Sequence, residues 1–225
     1  MTMRTRQKNR YSLNGVDLKK MAMISMLIDH IGFLLIPPGG LYFLFRLVGR
    51  LAFPLYAFLL VEGFFHTRDL NGYKKNLLFF ALISEIPFNL ACNGTVFSLK
   101  YQNVFFTLFL GLCMMEVLQR VRGAAEEVLI IAVFAVLAWI LRCDYQIFGI
   151  LLILLFYWYR RGTCPFAAPG FLAAFMSLSH FCAAALSMIP ISCYNGMRGR
   201  QGNKYLYYLF YPIHLLILYL ISKLT

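Results

Sequence analysis

Apolar runs follow one another along this sequence with only short polar interruptions. A helix needs about 20 mostly apolar residues to cross the hydrocarbon core of a bilayer, and most of the runs have about that length. Clusters rich in Pro, Gly and Asn, such as PPGG at 37–40, separate them. The pattern predicts eight helical spans, at 19–36, 41–63, 74–91, 102–119, 125–141, 145–159, 166–191 and 205–222. The fifth and sixth are short and also fit a re-entrant pair.

The composition agrees with this prediction, because it excludes an ordinary soluble domain. Of the 225 residues, 61% are hydrophobic and 13% are charged, and the mean hydropathy is +0.70. We therefore predict an all-α fold, a polytopic membrane helical bundle forming a single domain at 19–225 after a basic segment at 1–18. That segment does not resemble a signal peptide, so we expect the first span to be retained.

Lysine and arginine are distributed unevenly between the two predicted sides of the bundle. Fourteen lie at the N-terminus, in connections on the same side and at Lys223. Five lie on the opposite side, and three of these, in the loop before the last span that contains YNGMRG, work against the assignment. The positive-inside rule then places both termini in the cytoplasm and the protein in the cytoplasmic membrane. The net charge of +12 comes from these short flanks. Because they form no continuous basic patch, nucleic acid is not an expected partner.

Ionisable side chains occur inside several predicted spans, where their cost makes them candidates for function. In the first span Lys19 and His30 are eleven positions apart, hence on nearly the same helix face and roughly 16 Å apart, and Asp29 precedes His30. The second span carries Arg46 and Arg50 one turn apart. The remaining candidates, all expected to line a shared, partly hydrated pocket, are Glu85, Asn103, Asp144 and His214.

The same residues also fit a purely structural role. Asp29 could pair with one of the two arginines and Glu85 with the other, as ion pairs between helices. His30 could donate to a backbone carbonyl, and His214 could be packed on an apolar face. A catalytic role is favoured by the neighbours of His30, because a general base there would need an adjacent acid and converging arginines. The six cysteines lack the spacing of a metal site, so no metal is expected.

Eight stretches carry a family resemblance. They are KKMAMISMLIDHIG at 19–32, RLVGRLAFPLYAFLLVEGFFHTRD at 46–69, Tyr73, ISEIPF at 83–88, QNVFFTL at 102–108, DYQIFG at 144–149, YNGMRG at 194–199 and YLFYPIHLLILYLI at 208–221. Together and in this order they resemble the TraX family of bacterial membrane proteins, named for the conjugative pilin N-acetyltransferase. The resemblance extends from about residue 11 to the end of the chain.

This resemblance implies transfer of an acetyl group from acetyl-CoA to an amine or hydroxyl, on a pilin-like peptide N-terminus or a surface glycan. The family is distantly similar to membrane acyltransferases with a histidine eleven positions after a basic residue, usually arginine. That pattern falls on His30 and Lys19. His30 with Asp29 would then act as the base, Arg50 would stabilise the oxyanion, and Lys19 and Arg46 would bind acetyl-CoA.

Two other classes of function would also place charges inside membrane spans. A transporter or flippase lines its substrate path with such groups, although no internal repeat supports that interpretation here. A non-enzymatic scaffold of a membrane complex would use them to hold its helices together. Neither the acceptor nor the oligomeric state follows from the sequence.

Overall fold

The computed structural model describes residues 12–200 and 202–224, and helices make up most of this part of the chain, in which no strand occurs. The α-helices are α1 (Gly15–Leu35), α2 (Gly40–Gly49), α3 (Ala52–His66), α4 (Leu70–Asn93), α5 (Val104–Leu118), α6 (Ala124–Ile140), α7 (Gln146–Arg161), α8 (Ala167–Met176), α9 (Met188–Ser192) and α10 (Lys204–Ser222). Two 3-10 helices, Leu178–His180 and Ala183–Ser187, lie between α8 and α9. The predicted all-α class is confirmed.

Three helical stretches among the described residues are long and apolar enough to cross a membrane. They are Gly40–His66, which comprises α2 and α3, then Leu70–Asn93 and Tyr205–Ser222. The other helices are shorter or, like α1, carry several charged side chains. The structure therefore supports a membrane protein but does not confirm the predicted number of about eight spans.

Helix α1 packs against the junction at which the predicted second span divides into α2 and α3. The Ser25 hydroxyl donates to the Val48 carbonyl at 2.7 Å, and Gly49 lets the helices approach closely. A Cβ atom at Gly49 would lie 1.9 Å from the Asp29 carboxylate. At this junction the Val48 carbonyl and the space left by the missing side chain of Gly49 therefore face α1, at the level of Asp29.

The predicted seventh span, 166–191, is wrong as a single crossing, because the chain folds back on itself there. Phe181 and Cys182 adopt left-handed φ values of 49° and 57° and reverse its direction. The Ser177 hydroxyl donates to the Ala173 carbonyl and accepts from the Ala184 amide at 3.0 Å, which joins the two arms. The result is a hairpin of short helices rather than one long helix.

The hairpin returns the chain to the side on which α1 begins. Backbone hydrogen bonds of 2.9 Å join Leu13 to Cys193 and to Asn195, and Gly15 to Met197. The YNGMRG loop (194–199) thus lies on the N-terminal side, contrary to the prediction. Since α10 then starts beside the start of α1 and runs in the same direction, its C-terminal end lies at the opposite end of the bundle. The eight predicted spans imply opposite directions for the first and the last, and the structure corrects this, because α1 and α10 run in the same direction.

Candidate active site

Two histidines that are 184 positions apart meet where α10 passes α1. The Nδ1 atom of His30 lies 2.8 Å from Nε2 of His214, and the ring centroids are 4.9 Å apart. The other ring nitrogen of His214, Nδ1, lies 2.6 Å from the Phe210 carbonyl one turn back on α10. The Tyr211 ring contacts both imidazoles edge-on, at 6.1 Å from His30. The structure therefore brings together two predicted site residues, which we call the histidine pair.

Asp29 faces the arginines rather than His30. Its carboxylate accepts from Arg46 Nη1 at 2.6 Å and from Arg50 Nη2 at 3.3 Å. All three side chains are only 16–19% exposed. Adjacent positions on a helix point about 100° apart, so Asp29 and His30 serve different neighbours. We call these three residues the Asp29 clamp, and for Asp29 the predicted ion pair between helices is correct.

The Asp29 clamp retains one net positive charge, because two guanidinium groups share one carboxylate. A guanidinium carries five N–H donors. Within the described part of the chain, Arg50 uses Nη2 on Asp29 and Nε on the Arg46 carbonyl, and Arg46 uses Nη1. Both charges act electrostatically on the neighbouring His30 ring. The clamp can therefore donate further hydrogen bonds to an anionic group near the histidine pair.

Glu85 and Asn103 form a separate polar contact between α4 and α5. The Asn103 amide nitrogen donates to Glu85 at 2.5 Å and to the Ala81 carbonyl at 2.8 Å. Its oxygen caps α5 by accepting from the Phe105 amide at 3.1 Å. Asn89 donates to the second Glu85 oxygen at 3.3 Å. The pairing of Glu85 with an arginine that the sequence left open is therefore wrong, because amide groups surround this carboxylate instead.

Asp144 lies in the turn between α6 and α7, close to the Asp29 clamp. Its carbonyl accepts a hydrogen bond from the Thr107 hydroxyl. The next residue, Tyr145, has a φ of 62° and stacks on Phe53 with ring centroids 3.9 Å apart, which fixes the turn. Burial raises the pKa of Asp144 to about 6, although the charge of Arg50 lowers it in part. Asp144 therefore lies close enough to the Asp29 clamp for its charge to interact with that of Arg50.

A cavity of about 300 Å³ leads from the N-terminal side toward the histidine pair. Its walls come from the first half of α1, the end of α3, the starts of α4, α5 and α10, and the YNGMRG loop. Lys19 and Arg198 line its outer part, and Met26 and Tyr211 line its inner part. We call it the Lys19 cavity. Its inner end reaches the neighbours of His30 rather than His30 itself, because Met26 is one turn earlier on α1 and the Tyr211 ring packs edge-on against the imidazole.

The outer part of the Lys19 cavity is basic. Lys19 Nζ lies 4.4 Å from the centre of the Tyr207 ring, and Arg198 is close enough for its charge to act on Lys19. The two acids there are already engaged, because Glu62 accepts from Arg160 at 2.7 Å and Asp69 caps α4. Two cations that repel each other across a cavity favour an anionic ligand between them.

The sequence analysis missed Arg198 and Tyr211 as site residues. Both belong to stretches noted for the family resemblance, but the YNGMRG loop was expected on the far side and the tyrosines at the start of α10 fit an interfacial belt equally well. Of the predicted residues, Lys19 lines the cavity, His30 and His214 pair beside it, and Asp29, Arg46 and Arg50 form the clamp. Glu85 and Asn103 instead join α4 to α5.

Comparison with known proteins supports the resemblance seen in the sequence. The sequence model of a protein family described as "TraX protein" matches residues 14–222. A protein of Dichelobacter nodosus named "Probable fimbrial assembly protein FimC, serogroup H1" is 34% identical over 231 residues, which cover 91% of this chain and 94% of that protein. No solved structure matches the chain.

Proposed function

This chain belongs to the TraX protein family, and from that premise we propose that it is a membrane-embedded acetyltransferase. In this proposal acetyl-CoA enters from the N-terminal side, and the acetyl group passes to an amine or hydroxyl of an acceptor at or across the membrane. The observation that carries the proposal is the Lys19 cavity, which is basic at its mouth and is lined at its inner end by Tyr211, whose ring packs edge-on against both histidines.

The cavity has the charge distribution that a CoA ester would need. Its volume of about 300 Å³ is at the lower end of the range for small-molecule sites, which suits a narrow acyl-carrying arm better than a whole nucleotide. Lys19 and Arg198 at the mouth would contact the phosphates. Lys19 is about 16 Å from His30 along the α1 axis, so the arm would extend inward with the thioester leading.

His30 is the residue that we assign as the general base. Acyl transfer requires a group that removes the proton of the acceptor and a positive environment for the tetrahedral oxyanion. His30 is half-buried beside the inner end of the cavity, and the Asp29 clamp adjoins it with a net positive charge. Arg50 and Arg46 would donate to the oxyanion, while Asp29 holds both guanidinium groups in place.

The acceptor that we would test first is a pilus subunit. The relative from D. nodosus is named as a probable fimbrial assembly protein. A pilus subunit with an unmodified N-terminus would offer an amine that could attack a thioester. Surface glycans are the second class of acceptor, because a hydroxyl could attack in the same way.

The proposal is tested by measuring acetyl transfer from radiolabelled acetyl-CoA with the full chain purified in lipid nanodiscs. A synthetic peptide with a free N-terminal amine serves as acceptor, and intact-mass analysis of cells with and without the gene identifies the natural one. We expect His30→Ala to abolish transfer. Lys19→Gln and Arg198→Gln should each raise KM for acetyl-CoA about tenfold, as expected for loss of one contact to a charged group, with kcat little changed.

Lack of any acetyl transfer or hydrolysis by the folded wild-type protein, together with unchanged masses in cells, would contradict the acetyltransferase proposal. A transporter or a scaffold would then account better for the charged groups inside the bundle. Activity retained in full by His30→Ala would keep the enzyme but remove His30 as its base.

A further inference from the structure

The hydrogen bonds of the histidine pair determine which nitrogen of His30 carries its proton. The Phe210 carbonyl can only accept, so the Nδ1 atom of His214 that lies 2.6 Å from it must be the protonated one. In a neutral imidazole the other nitrogen is then an acceptor. The Nε2 atom of His214 therefore presents a lone pair to His30 Nδ1 at 2.8 Å.

This arrangement requires a proton on Nδ1 of His30, since two lone pairs would repel at that distance. With Nδ1 protonated, Nε2 of His30 is the nitrogen that keeps a lone pair.

We propose that His214 is a positioning residue for His30, because it accepts the Nδ1 proton and thereby reserves Nε2 as the catalytic base. This inference rests on the proposed acetyltransferase function and deepens it. In this arrangement the Phe210 carbonyl orients His214, and His214 in turn orients His30. Other catalytic sites also use a further group to fix the tautomer and orientation of a histidine.

The proposed role fits a balanced acetyl transfer. The acceptor N–H or O–H gives its proton to Nε2 of His30 while its nitrogen or oxygen bonds to the acetyl carbonyl carbon. The C–S bond then breaks, and the CoA sulfur leaves with the proton from Nε2. While His30 is an imidazolium, its Nδ1–H bond to His214 becomes charge-assisted and shorter, so His214 stabilises the intermediate as well as the ring orientation.

A kinetic comparison of two variants separates this role from packing. His214→Leu fills a similar space without an acceptor, whereas the side-chain oxygen of His214→Gln can accept from His30 Nδ1. We expect the leucine variant to lower kcat about 100-fold, as for loss of a group that orients a catalytic residue, with KM for acetyl-CoA within twofold. The glutamine variant should recover kcat to within about tenfold of the wild type.

The matched control is His180→Leu. His180 is also half-buried, but its ring stacks on Phe43 with centroids 5.5 Å apart and contacts Ser179 rather than the histidine pair, and it acts on the Asp29 clamp only through longer-range electrostatics. This variant should keep the wild-type kcat. Melting temperatures in nanodiscs show that each variant is folded, so that a change in kcat is not a loss of protein.

A spectroscopic measurement tests the inference without any activity. In protein labelled with nitrogen-15 at its four histidines, we expect His30 to be neutral with the proton on Nδ1, and its signal to disappear in His30→Gln. A through-bond coupling between His30 Nδ1 and His214 Nε2 should be visible. Failure of the acetyltransferase proposal is thus distinguishable from failure of this one.

Three results would overturn the inference. The first is a neutral His30 with its proton on Nε2. The second is an equal loss of kcat in the glutamine and leucine variants, which indicates packing alone. The third is a wild-type kcat in His214→Leu, which means that His30 needs no partner on α10.

Discussion

Breaking the Asp29 clamp should cost far more stability than breaking an ion pair on the surface. In Asp29→Asn the two guanidinium groups, 18–19% exposed, lose their shared carboxylate but remain inside the bundle. Removal of one partner of a buried ion pair costs about 3–5 kcal/mol, and the residual exposure of this clamp places our expectation near the lower limit, at about 3 kcal/mol. Arg46→Gln should cost less, because Arg50 still pairs with Asp29.

A double-mutant cycle isolates the interaction between Asp29 and Arg46. The free energy of unfolding of the wild type, Asp29→Asn, Arg46→Gln and the double variant would be measured by reversible denaturation in mixed micelles. We expect a coupling energy of about 2 kcal/mol, within the range for residues in direct contact. The double variant should therefore be more stable than the sum of the two single changes predicts.

The matched control is the pair of Glu116 with Arg120, at a comparable distance of 2.7 Å, in which Arg120 is 72% exposed; Glu116 also pairs with Lys74 at 2.6 Å, as Asp29 pairs with a second cation. Exposed pairs of this kind contribute about 0.3–0.5 kcal/mol. A cycle on this pair should give no more than that. Equal coupling energies in the two cycles would refute the argument, since they would mean that burial adds nothing to the Asp29 clamp.

Three further predictions concern single positions. Gly49→Ala should destabilise the fold by about 1–3 kcal/mol because the added Cβ would lie 1.9 Å from Asp29, whereas Gly40→Ala, with open space around it, should have little effect on the melting temperature. Asn14→Ala removes the capping box of α1 and should cost about 1 kcal/mol, and Asn14→Asp should restore most of it in the same assay. Burial raises the pKa of Asp144 to about 6, so the folded state holds that proton more tightly than the unfolded state. Stability should therefore fall as the pH rises from about 4 to about 6, and Asp144→Asn should remove this decline in a series of melting curves.

The sequence predicts single helices well where hydropathy alone decides their limits. The predicted spans 74–91 and 102–119 correspond to Leu70–Asn93 and Val104–Leu118. Length and apolar content carry this information, because every backbone polar group in a bilayer must be paired within a helix. The same signal could not find the division of 41–63 into α2 and α3, because hydropathy stays high across the turn at 50–51.

No sequence pattern near His30 or near His214 predicts that the two histidines are in contact. His30 and His214 meet where α10 runs beside α1 in the same direction, and that direction depends on whether the segment before α10 crosses the membrane or folds back. The segment 166–191 has the length and the hydropathy of a single span. Its reversal depends on two residues with left-handed φ and on the Ser177 hydroxyl, none of which alters a hydropathy profile.

The reversal also resolves a conflict in the distribution of charge. The basic residues of the loop before α10 opposed the positive-inside rule when that loop was expected outside. With the YNGMRG loop beside Gly15, Arg198 and Arg200 move to the N-terminal side, and Lys223 moves to the other. The excess of positive charge on the N-terminal side becomes larger than the sequence analysis predicted. The positive-inside rule would place that side in the cytoplasm. The mouth of the Lys19 cavity opens on this side, so the corrected topology and the proposed route of the acetyl donor support each other.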